Sequence, residues 1–169
     1  LTIKGDYTNT LDIESFSLMM KDPSYCYKFY WLGALVILIS EGRLETTFDD
    51  IIDEMICNAW YSVREFHIHL SGIQAGAVRD GLERAVILLA ELSDLPSNAS
   101  KTEIRNAIHE HNKELKSAKE QLTNMVPYRA LAGFFHRSDE AANWNSTVRM
   151  VEYIQRINNT VITLPYTLG

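Results

Sequence analysis

The sequence predicts a mostly α fold, an irregular multi-helix bundle with one or two short strands. Three observations carry this reading. Apolar residues recur at helical spacing, as at Ile51, Ile52, Met55, Ile56, Ala59 and Trp60. Helix-start signals precede such runs: Thr47 ahead of Asp49 and Asp50, and the capping box Ser100-Lys101-Thr102-Glu103. Breakers separate them, at Gly42 and at Leu95-Pro96-Ser97-Asn98. With 169 residues, 46% of them hydrophobic and 22% charged, the chain is long and apolar enough for one globular domain and is not a disordered one.

Taken in order, residues 1–23 read as a loosely packed lead-in with a single helical turn near Phe16 to Met20. Residues 24–169 read as a single helical domain. Ser24 is the expected N-cap of a first main helix running to about Ser40, and Gly42 sits where a left-handed C-cap belongs. Phe29 to Ile39 is an unbroken apolar run. It is too short for a membrane span, which needs about 20 residues, so it is expected to be a central helix buried on every side. Thr47 caps the next helix, which should end near Tyr61. Residues 63–70 alternate (Phe66, Ile68 and Leu70 against Glu65, His67 and His69), a strand signal without a visible partner strand. A helical or irregular path fits that stretch equally well. A further helix covers about Val78 to Leu92. The capping box at Ser100 opens the longest helix, to about Asn124, with Ile104, Ile108, His111, Leu115, Ala118 and Leu122 inside a sector of about 80°. Pro127 opens a short helix through Phe135, Ser138 or Asp139 starts another to about Gln155, and Val161 to Leu164 reads as a short strand.

Composition excludes more functions than it suggests. Sixteen bases against 22 acids give a net charge of −6, which argues against holding nucleic acid by bulk charge. Two cysteines, Cys26 and Cys57, form neither a disulfide framework nor a zinc set, and both are expected to be buried thiols. Lys4, Asp6 and Asp12 precede any long apolar run, so no secretion signal is visible and a cytoplasmic location is expected. The sequons at Asn98, Asn145 and Asn158 then read as chance matches.

The constellations that could carry chemistry are sparse. His67, His69 and Glu65 would share a face on a strand, in a possible metal geometry, but no third strong ligand is assignable, and exposed or ordinary hydrogen-bonded histidines are the expected reading. His109-Glu110-His111-Asn112 holds the letters of a nuclease motif without its hairpin, and on one helix the two histidines point about 160° apart. Tyr25, Tyr27, Phe29, Tyr30, Trp31, Trp60 and Tyr61 suit a packed core better than base stacking. Asp49-Asp50 and Asp53-Glu54 complement a helix dipole. The sharpest feature is a basic stripe. Lys101, Arg105, His109, Asn112, Lys116 and Lys119 fall within about 80° on the helical wheel. Lys101, Arg105, Lys116 and Lys119 are the candidate DNA contacts; an ordinary solvated face is the competing explanation.

Four segments, in this order and rough spacing, carry a family resemblance: Ser24-Tyr25-Cys26-Tyr27-Lys28-Phe29-Tyr30-Trp31, Ala59-Trp60-Tyr61, Val126-Pro127-Tyr128-Arg129 and Leu164-Pro165-Tyr166-Thr167. Over about residues 24–169 the chain resembles the N-terminal region of bacterial HNH endonuclease-domain proteins. Ser62 stands where a proline often follows the second segment in that family. The catalytic His-Asn-His motif would lie beyond Gly169, so no catalytic residue carries over, and Lys28, Trp31, Trp60, Tyr61 and Arg129 carry over only as structural positions. The resemblance implies a non-catalytic N-terminal helical module of a longer protein, positioning DNA, the nuclease domain or a partner. A divalent metal would belong to the nuclease domain and no cofactor to this chain. The alternative is a helical protein–protein or dimerisation module, such as a homodimer, with no nucleic-acid role. No membrane association is expected.

Overall fold

A computed structural model describes residues 2–3, 13–21, 26–70, 80–131, 134, 147–157 and 166–167, and they are mostly helical. The first helix, α1, is Ile13–Lys21, nine residues where the sequence suggested a single turn. Next, α2 spans Tyr27–Ser40, with Cys26 rather than Ser24 at its N-cap position and no side-chain cap bond; Ser24 lies outside the described residues. Its C-terminus closes as expected. Gly42 has φ +79°, its amide donates to the Ile39 carbonyl, and the Arg43 amide donates to that of Leu38. That crossed pair satisfies carbonyls the helix would otherwise leave open.

Helix α3 is Phe48–Arg64, three residues longer than predicted. Its capping box is reciprocal. The Asp50 amide donates to Thr47 Oγ1 at 3.1 Å, and the Thr47 amide donates to Asp50 Oδ2 at 3.0 Å. Burial opposes ionisation of Asp50, but the Thr47 hydroxyl and amide and the Arg43 guanidinium outweigh it and bring the pKa down to about 2. After Arg64 the chain turns instead of forming a strand. His67 is left-handed (φ +51°), the Ile68 amide donates to the Ser62 carbonyl, and the Leu70 amide donates to Glu83 Oε2. These bonds to the preceding helix and to a later one replace the ladder that alternation alone would have required.

Helix α4 is Gly81–Ser93, capped by the Asp80 carboxylate on the Leu82 amide at 2.7 Å and ended by Asp94 at φ +52°. The predicted single helix from Ser100 to Asn124 is two helices: α5, Lys101–Glu110, and α6, Asn112–Thr123. The break is at His111 (φ −101°, ψ 23°), beside Asn112 and His109, all weak helix formers. The Ser100–Glu103 capping box forms as read. The apolar stripe also survives the break, with Ile104, Ile108, Leu115 and Leu122 buried. Helix α7 is Val126–Leu131, with the predicted end at Phe135 outside the described residues, and α8 is Thr147–Ile157. The proposed start of α8 at Ser138 or Asp139, and the strand at Val161 to Leu164, lie outside the described residues. Thr2–Ile3 (β1) pairs antiparallel with Tyr166–Thr167 (β2), Thr2 opposite Thr167.

The centre of the bundle is α3, not α2. Helix α3 touches α2, α4, α5 and α6, whereas α2 lies against α3 and α7. Trp31, Leu38, Ile51, Ile52, Met55, Ile56, Trp60, Leu70, Leu82, Leu89 and Ile108 are among the large side chains almost fully removed from water. On α2, however, only Tyr27, Trp31, Ala34, Leu35 and Leu38 are buried, and Phe29, Val36 and Ile39 are exposed. The expectation that α2 is covered on all sides is therefore corrected. No described helix is long and apolar enough to cross a membrane.

Candidate nucleic-acid interface

The basic stripe forms on one side of α5 and α6, and α3 presents carboxylates to it. Lys101 Nζ pairs with Glu54 Oε1, and Arg105 Nη2 donates to Glu54 Oε2 at 2.7 Å and to Glu41 Oε1 at 3.3 Å. The Glu54 side chain is almost wholly buried, while both cations keep about a third of their surface in water (37%). A carboxylate in that position needs its cations: Coulomb attraction and hydrogen bonds have to offset the loss of hydration.

Lys119 makes a second cluster. Its side chain is 3% exposed, and its ammonium lies 2.9 Å from Asp49 Oδ2, 2.6 Å from Asp53 Oδ1 and 3.0 Å from Asn112 Oδ1. The ammonium thus meets three oxygens, the Asn112 oxygen by a hydrogen bond and the two aspartates as ion pairs. Burial pushes the Asp53 carboxyl above the usual range, although the bond from Lys119 pulls the other way. Lys116 differs from the other three. Its side chain is 72% exposed and its ammonium stands 3.8 Å from Glu120 Oε1, one helical turn on. Beside it lies an open cleft of about 520 Å³ whose lining includes Phe48, Asp49, Asn112, Lys116, Lys119 and Glu120.

Of the four candidate contacts, then, Lys101, Arg105 and Lys119 face acids of the same chain and Lys116 faces solvent. The wheel places the four on one side of their helices. It did not reveal the opposing carboxylates. The α3 dipole alone would account for Asp49, Asp53 and Glu54, but Asp49 and Asp53 stand four residues apart on one side of α3. Two helices with matching acidic and basic flanks were the available signal.

The other constellations resolve simply. Glu65 accepts from Ser97 Oγ, and His69 Nδ1 lies 3.1 Å from buried Glu83 Oε1, so the His67–His69–Glu65 set does not share a strand face. Among the described residues, no group of three His, Cys, Asp or Glu side chains converges to hold a metal. His109 to Asn112 spans the end of α5 and the start of α6, with a helix and not a hairpin in front of it. Trp31 and Trp60 are core, while Phe29 and Tyr61 face outward.

Cys57 is buried next to the Glu54 cluster. Burial, reinforced by the Glu54 charge, pushes its thiol up to about 12. Cys26 is half-buried and raised by the same cause. Because the thiolate is the reactive form, Cys57 in the native chain should resist iodoacetamide at pH 8 for hours and react within minutes in urea. Peptide mass mapping reads this directly; rapid native labelling of Cys57 would contradict its burial.

Neither a protein-family model nor a curated protein nor a solved structure matches the chain.

Proposed function

We propose that the chain is a non-catalytic helical module of an HNH-type endonuclease, a rigid support that positions the nuclease domain or a protein partner. The nuclease part of this reading rests on the four aromatic and proline-containing segments and their resemblance to that family. The support part rests on one observation: Lys101, Arg105 and Lys119 are engaged by Glu41, Asp49, Asp53 and Glu54, which ties α5 and α6 to the central α3. Cations committed to internal carboxylates release no counterions when a duplex approaches, and counterion release dominates phosphate binding. A divalent metal, in this reading, belongs to the nuclease domain.

The alternative, a protein–protein module outside any nuclease, is favoured by a different observation, the exposed Phe29, Val36 and Ile39 on α2.

The test is fluorescence anisotropy of a labelled duplex with residues 1–169, at about 50 mM salt, where non-specific contacts are strongest. No saturable binding is expected, for the wild type or for Lys116→Glu. A salt-sensitive complex that Lys116→Glu weakens would overturn the support reading and restore the stripe as a DNA contact.

A further inference from the structure

We draw no further inference here: the strongest candidate, the apolar surface patch that α2 leaves in water at Phe29, Val36 and Ile39, carries nothing because nothing in the structure shows what covers it.

Discussion

Replacing Trp60 by alanine is expected to cost about 3–5 kcal/mol of folding stability, the range for removing a buried aromatic ring without refilling its space. Trp60 is 1% exposed in the middle of the α3 core face. Its ring also carries two specific contacts. Nε1 donates to the Pro96 carbonyl at 3.1 Å, holding the segment between α4 and α5 against α3, and the Arg64 guanidinium lies 5.6 Å from the ring centroid. Phenylalanine keeps most of the apolar area and loses the indole hydrogen bond, leaving the Pro96 carbonyl without that donor. Trp60→Phe should therefore cost about 1–3 kcal/mol. Domains of this size have about 5–15 kcal/mol in total, so the alanine variant sits near the edge of folding and the phenylalanine variant does not. Urea titration followed by far-UV circular dichroism measures both. Equal midpoints for the two variants would show that ring volume contributes nothing and that the hydrogen bond carries the whole effect.

The elements legible in the sequence were those governed by neighbours along the chain. Thr47 as the cap of α3, the Ser100–Glu103 box and Gly42 after α2 each depend on a few neighbouring residues, and each forms as read. The stripe from Ile104 to Leu122 is similar: one helical period decides it, and it persists although His111 breaks the helix. What failed was whatever depended on the opposite side of a contact. An apolar run such as Phe29 to Ile39 has no polar face to say which side is covered, so its burial on all sides was inferred and proved wrong. The alternation at residues 63–70 is real, but the buried carboxylate of Glu83, thirteen residues beyond Leu70, takes the amide a strand would have used. The surroundings of the candidate site depend on the same kind of contact. Periodicity placed Lys101, Arg105, Lys116 and Lys119 on one side of their helices. Only the packing of α5 and α6 on α3 shows that three of them meet acids.

That packing yields the second large effect. Changing both Lys101 and Arg105 to alanine should destabilise the chain by about 3–5 kcal/mol, because it strands the buried Glu54 carboxylate without its cations. The cost comes from the uncompensated charge, not from two lost surface contacts, which would be worth about 1 kcal/mol or less each. Adding Glu54→Met to the double variant removes that charge and fills its space, and most of the stability should return. Glu54→Met alone should come out near neutral, since Lys101 and Arg105 are exposed enough to regain water. Urea midpoints of the four proteins close the cycle. If the triple variant is no more stable than the double, the charge account is wrong and the aliphatic stems of Lys101 and Arg105 matter for packing instead. The same cycle governs how any loss of DNA binding in a longer protein is read. Charge reversal at Lys101 and Arg105 places two acids against Glu54 and unfolds the support, so binding would fall whether or not either residue touches a phosphate. Lys116, exposed and remote from Glu54, is the position at which charge reversal reports on the nucleic-acid surface alone.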